Sequence, residues 1–266
     1  MDSVKLYLKY LKLNIESQLQ YKASFIMMSM GHFLITFIEF LGLWVLFERF
    51  GQIKGFIFEE AALFYGIVHI AFSIAEGWTR GFDIFPNLVR MGDFDRILLR
   101  PRTTILQVLG NDIQMMRVGR LLQGFLVLIW SIYKLKIDWT LGKTLLLLGS
   151  ILGGNFLFSG LIVLQATLSF WSVQSLEIVN SFTYGGVQAA QYPISIYKSW
   201  FRKILIYFIP LATVNYFPAI NILGKIDLLN YPTWLGWISP FIGFAFFIIS
   251  LFIWRIGVRH YTSTGT

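Results

Sequence analysis

Between residues 144 and 170, and again from Ile204 to Leu223, the chain carries no Asp, Glu, Lys or Arg. A predominantly apolar run of about 18 or more residues is long enough to cross a bilayer as a helix. Inside the hydrocarbon every backbone N–H and C=O must be satisfied by the protein itself, which leaves helices and closed barrels. Barrel strands would show as alternating segments of about ten residues, and none is apparent. The chain is therefore read as an all-α polytopic membrane protein. Only 14% of its 266 residues are charged, against about 25% in a soluble domain, so one membrane domain uses nearly all of it.

Hydropathy places spans at about 24–47, 60–78, 106–133, 144–170 and 233–254, with the region 174–224 harder to divide. Tryptophans such as Trp44, Trp78, Trp130, Trp171 and Trp254 fall near span ends, as an interfacial belt expects. "GSILGG", Gly149 to Gly154, offers a small-residue surface for close helix packing. Asp112, Arg117 and Arg120 blur the start of the third span; the two arginines are expected to snorkel to inner headgroups in preference to lining a path. Within 174–224 both 176–193 and 204–223 are apolar, but prolines interrupt them. The second piece reads as a broken or re-entrant pair of half-helices, which lipid tolerates only where packed against protein or lining a cavity. Residues 1–22 form a separate unit. Val4, Leu8, Leu11, Ile15 and Leu19 recur at helical spacing, with Lys5, Lys9 and Lys12 on another face. Such a helix lies in the membrane interface. No A-x-A-like site follows the first span, so no cleaved signal peptide is expected.

Lys and Arg are more numerous on the side that holds the N-terminus, which the positive-inside rule makes cytosolic. Arg255 and Arg259 after the last span put the C-terminus there too. An even number of spans follows, taken as six, with one piece of 174–224 re-entrant from the outer side.

Several function classes are excluded. Without cysteine there is no disulfide, thiolate metal site or Cys nucleophile. His32, His69 and His260 have no metal-type spacing, and no G-x-S-x-G elbow occurs. "LGKT", Leu141 to Thr144, resembles the tail of a P-loop, but Ile137 stands where the first glycine belongs. No catalytic, cofactor or metal residue is therefore expected. The net charge of +8 is spread through short loops, which suits anionic lipid headgroups rather than nucleic acid. Two spans carry polar residues at matching intervals, His32 with Glu39 and His69 with Glu76. Intramembrane carboxylates are costly. Either these four line a polar pathway or proton relay, or they hydrogen-bond between helices.

The stretch "IFPNLVRMGDFDRILLRPRT", Ile84 to Thr103, interrupts this pattern on the cytosolic side. Ile84, Phe85, Leu88 and Val89 share one helical face, with Asp83, Asn87 and Arg90 on the other and Gly92 as the helix end. Asp93, Asp95, Arg96 and Arg100 then form a turn toward the third span, opened by Pro101. Acidic residues gain nothing at an anionic surface, so a docking element for a cytosolic protein is expected.

"MGDFDRILLRP", Met91 to Pro101, is similar to the G-x-L-D-x-L-L-x-R-P stretch of one branch of the ABC-2 type permeases, with Phe94 where that branch often has Leu. The run from Gln191 to Gly224, with Pro193, Pro210 and Pro218, resembles the outer half-helices of the same family. The resemblance covers essentially the whole chain. It implies an N-terminal connecting helix at 1–22, a six-span permease domain at 23–266, a coupling helix at 83–92 and re-entrant half-helices at 194–224. It implies a separate ABC ATPase subunit, two copies per complex, carrying the ATP and Mg. A second permease is implied as well, a heterodimer being favoured, with spans 1, 2 and 5 at the interface. The setting would be a bacterial cytoplasmic membrane, and the task export of an amphiphilic, lipid-like, peptide or drug substrate. Import, or an ion- or proton-coupled carrier using Glu39 and His32, is the competing reading. A carrier would favour internal repeats, and the halves show none.

Overall fold

The computed structural model describes residues 3–172, 176–226 and 229–263. The outermost residues of the 1–22 and 23–266 divisions, the side chain of Val4 and the first two residues of 174–224 lie outside that description. Among the described residues there are helices and no strands. Helix α1 (Ser3–Gln20) leads into α2 (Lys22–Phe50) and α3 (Phe58–Trp78). Four short helices follow, α4 (Arg80–Asp83), α5 (Phe85–Arg90), α6 (Asp93–Leu98) and α7 (Thr104–Leu109). Then come the long α8 (Val118–Leu135) and α9 (Leu141–Leu168), and α10 (Leu176–Ala190). The chain closes with α11 (Ser199–Lys203), α12 (Leu211–Val214), α13 (Tyr216–Leu223), α14 (Trp234–Trp237) and α15 (Ser239–His260). Five stretches are long and apolar enough to cross a membrane, namely α2, α3, Met115–Leu135, α9 and α15. A bent pair, Ser199–Phe208 with Leu211–Leu223, raises this to as many as six.

Three boundaries differ from expectation, each for a local reason. The third span starts at Met115, not near 106. The backbone leaves the helix after Leu109, and Gln114 N–H donates to the Gly77 carbonyl at 3.2 Å. Pro101 opens no helix; the chain stays irregular to Thr103, whose extended backbone precedes α7. The last span occupies Ser239–His260 rather than 233–254, with Pro240 inside its first turn, where proline's missing N–H costs nothing.

The bent pair follows from proline chemistry. At the end of α11 the helix widens into a π-turn over Ile204–Phe208, and Ile209 N–H reaches back five residues to the Ile204 carbonyl at 2.8 Å. Pro210 disfavours a helical residue before it. Ile209 is accordingly extended (φ −118°, ψ 91°), and the chain turns by 71° between the two halves.

Helix α3 is the central post, buried along almost its whole length by α8 and α9. Small residues allow the approach. Gly154 meets Ala71 of α3, while Gly149 and Gly153 lie against Pro240 and the backbone of α15. Across that seam a Cβ on Gly243 would collide with the carbonyl of Gly153. Gly243→Ala is therefore expected to push α9 and α15 apart and cost about 1–3 kcal/mol, seen as an earlier thermal transition of the detergent-solubilised protein. An unchanged transition would show the seam to be looser than drawn. In contrast, α2 leaves much of its surface uncovered, including Met27, Leu34, Ile35, Ile38 and Val45.

Candidate functional site

Two polar regions stand out, one at an end of the bundle and one inside it. The first is the block α4 to α7. Gly92, at φ 74°, takes the left-handed conformation that glycine adopts without strain, and it separates α5 from α6. The expected turn at Asp93–Leu98 is thus a helix of its own. Asp93 and Asp95 sit in its first turn, where the helix dipole favours negative charge.

The block is wedged onto the spans by aromatic rings. Phe85 meets Trp254 of α15 at 4.7 Å between centroids, Phe94 at 4.9 Å and Phe170 at 5.2 Å. Phe82 meets Trp254 at 4.8 Å, and Tyr261 meets Phe94 at 4.9 Å. The Trp254 indole N–H donates to the Thr104 hydroxyl at 3.2 Å. This corrects the expected outward apolar face. Phe85 is 0% exposed and Val89 6%, while Ile84 and Leu88 are half-buried. Packing against Trp254 and Phe170 removes this apolar area from water.

Asp83 is corrected too, since it turns inward to pair with Arg80 and accepts from Gln165 at 3.4 Å. Arg80 also lies 3.9 Å from Asp112. Burial raises the Asp112 carboxyl above its usual range, and the Arg80 charge opposes that rise. What the block leaves open is different: Asn87, Arg90, Met91, Arg96, Leu98, Leu99, Arg100, Pro101 and Arg102. Leu99 is 86% exposed and Met91 58%. Asp93 faces Arg96 at 3.7 Å, and the Ser263 hydroxyl donates to Asp95.

The chain ends gather at the same end of the bundle. Met115 N–H donates to the Gln18 side chain of α1 at 2.9 Å, and Tyr261 follows α15 into the aromatic wedge. At the opposite end Lys225 pairs with Glu60 at 2.6 Å.

The second region lies inside the helix bundle, where the end of α3 meets the start of α8. Glu76, 1% exposed, accepts from Arg117 at 2.8 Å, Arg120 at 2.9 Å and the Tyr184 hydroxyl at 3.2 Å. Arg117 also lies 3.4 Å from the ring nitrogens of His32. Both arginines therefore turn inward, against the expectation that they snorkel outward. A carboxylate within reach binds a guanidinium at a fixed distance, whereas a headgroup would have required the side chains to leave the helix contact. Arg120 also lies 5.1 Å over the Phe72 ring. Beside this node is a cavity of about 260 Å³ lined in part by Glu39, His69, Phe72, Arg120, Tyr184 and Gln188. His69 is 1% exposed and stacks on Tyr65 at 3.8 Å.

The four polar residues expected from the spans thus converge on one place, but in two roles. His32 and Glu76 are tied into the arginine node, while Glu39 and His69 face the cavity. Sequence reading had missed Tyr184 as a member and misassigned Arg117 and Arg120. Their recurrence three residues apart, as helix-face neighbours, was the available signal. Pro193 ends the turn after α10, Pro210 sets the bend, and Pro218 lies within the first turn of α13. None of the three lines this cavity. Among the described residues no group of His, Asp and Glu is placed to hold a metal ion.

A family profile described as "ABC-2 family transporter protein" matches residues 33–265. No curated protein and no solved structure matches the chain. The family match runs from within α2 past the end of α15, so it takes in the terminal block and the arginine node apart from His32, one residue before it begins. The chain belongs to the ABC-2 family of transporter proteins: it is a multi-pass membrane permease without an ATPase site of its own, from a family that works with an ABC ATPase.

Proposed function

We propose that the chain is the permease subunit of an ATP-driven exporter, and that the α5–α6 block is where its ATPase docks. The carrying observation is the wedge itself. The short block between α3 and α8 is locked by Phe85, Phe94 and Phe170 onto Trp254 of the last span, while Met91, Leu98 and Leu99 protrude among arginines. Apolar residues ringed by charge are what a protein interface uses. A rigid block moves as a unit, so a push on Leu99 reaches α9 and α15 directly.

In this reading two ATPase copies hold the ATP and Mg, and closure of that pair drives the blocks. A second permease, favoured as a different chain, covers the apolar face of α2. Both termini are cytosolic in a bacterial cytoplasmic membrane, and the bent pair dips in from the outer side. A transport role is supported by the family, and an amphiphilic cargo by the apolar walls of the spans. A proton relay through all four polar residues finds less support, because Glu76 is held by two guanidiniums.

The test is recovery of partners. Purified from its native membrane, the chain is expected to bring an ABC ATPase with it; its absence would sink the docking reading. Leu99→Asp with Met91→Asp is expected to weaken that association about tenfold or more, as loss of interface anchors does. Membrane insertion should be retained, since both residues are exposed. Undiminished recovery would move the interface elsewhere.

A further inference from the structure

A groove runs along the outside of the bundle, walled by Leu164 and Leu168 of α9, Phe182 of α10, and Ile249 and Ile253 of α15. The bend borders it through Phe208 and Pro210. It encloses about 660 Å³, and no charged side chain lines it. That volume falls within the roughly 300–1,000 Å³ of ligand pockets. Both α9 and α15 are long and apolar enough to cross the membrane, so the open side of the groove meets lipid.

The dimensions and the mouth of the groove point to one kind of occupant. On α15 the lining runs from Ile242 to Ile253, a rise of about 16 Å at 1.5 Å per residue. That is about half of a hydrocarbon core roughly 30 Å thick, the depth of one leaflet. Beyond Ile253 the same helical face continues to Ile256 and His260. From Leu168 the other wall passes into a turn, where Trp171 N–H donates to the Leu168 carbonyl at 3.0 Å. The two walls meet there, with Trp171 and His260 at 5.7 Å between ring centroids. Tyr261, next in the chain, packs on Phe94, so this mouth lies at the α4–α7 end of the bundle. His260 Nδ1 donates to the Ile256 carbonyl at 2.9 Å, which leaves Nε2 as the open ring position. Arg259 beside it is exposed and has no ion pair among the described residues. A tryptophan with basic neighbours at a span end suits an anionic headgroup.

A helix of another chain is a poorer fit. Lipid tails are as apolar as Leu, so helices associate in a bilayer by close approach over small residues. This groove has large branched and aromatic walls, with Ala245 as its one small side chain. It also lies across the bundle from the face given to a second permease: α2 packs on α3 and α8, whereas α15 packs on α9.

We propose that the groove seats one acyl chain of an anionic phospholipid, whose phosphate is held at the mouth by Trp171, Arg259 and His260. The test places the full chain in nanodiscs of equal phosphatidylglycerol and phosphatidylcholine and counts retained lipid by native mass spectrometry. The parent should keep one phosphatidylglycerol per chain. Ala245→Trp should lower retention about tenfold, since an indole in the groove displaces the packing contacts that hold the chain. Leu164→Trp should do the same from the opposite wall. Leu152→Trp, exposed on α9 outside the groove, should retain lipid normally and is the folding control. Arg259→Gln with His260→Gln should still keep a lipid but lose about fivefold of the preference for phosphatidylglycerol, the scale of one basic side chain at a bilayer surface. Full retention in both groove variants would overturn the proposal by placing the lipid elsewhere. Equal retention of the two lipids by the parent would also overturn it, by removing the headgroup site. So would dissociation of a chain pair in Ala245→Trp with no lipid on the parent, which would make the groove a subunit seat. No ATPase takes part, so failure of the docking assignment leaves this result readable.

Discussion

Glu76→Leu is expected to destabilise the protein by about 3–5 kcal/mol, the cost of removing one partner from a buried ion pair. The change leaves Arg117 and Arg120 buried side by side with no carboxylate between them. Each guanidinium was desolvated on the understanding, so to speak, that Glu76 would meet it. Without it they repel one another, and Arg117 keeps only the His32 ring nitrogens at 3.4 Å while Arg120 loses its carboxylate. The Tyr184 hydroxyl loses its acceptor as well, which loosens α10 from α3. Thermal unfolding in detergent, read by tryptophan emission, should show the loss. The triple variant Glu76→Leu, Arg117→Leu, Arg120→Leu should recover most of it, because an apolar replacement of a whole buried network is often close to neutral. A single variant as stable as the parent would mean that the node is hydrated and structurally idle.

Phe85→Ala should have an effect of similar size, about 3–5 kcal/mol, by emptying a fully buried aromatic site. Its consequence for function is expected to be separate from its consequence for stability. The ring is the hub joining α5 to Trp254, Phe94 and Phe170. Leu99 and Met91 stay exposed without it, so under the proposed docking the ATPase should still bind. The block should no longer move α15 with it. The expected outcome is a complex that assembles and hydrolyses ATP but transports poorly, measured in proteoliposomes at a temperature where the variant stays folded. Transport falling only in proportion to folded protein would show the wedge to be a stabilising contact and no transmission element.

These two predictions mark where sequence reading stopped. A helix-face count at Ile84 to Arg90 identifies which residues share a side, but not which side is inward. Phe85, Leu88 and Val89 are equally apolar whether they meet an ATPase or Trp254, and Trp254 lies far along the chain. The same limit held for Arg117 and Arg120. Near a span end, snorkelling is the local expectation, and only a carboxylate on another helix at 2.8–2.9 Å reverses it.

Gly92 was readable as a helix end, because a left-handed residue there favours glycine whatever the surroundings. The bend at Pro210 was readable for the same kind of reason, since proline acts on its own neighbours. The start of the third span was not, because a stretch of moderate hydropathy is interrupted by a backbone contact to Gly77.

What the sequence by itself determined is everything that lipid and local backbone chemistry dictate: all-α class, multiple spans, an amphipathic leading helix, the breaks at glycine and proline, and the absence of an ATP-binding motif. Those follow from transfer energies and steric rules that act within a few residues. The tertiary structure decided the partners of each polar or aromatic side chain. Whether Glu76 is satisfied, Glu39 left open, or Phe85 turned inward depends on groups tens of residues away, and no local rule contains that distance.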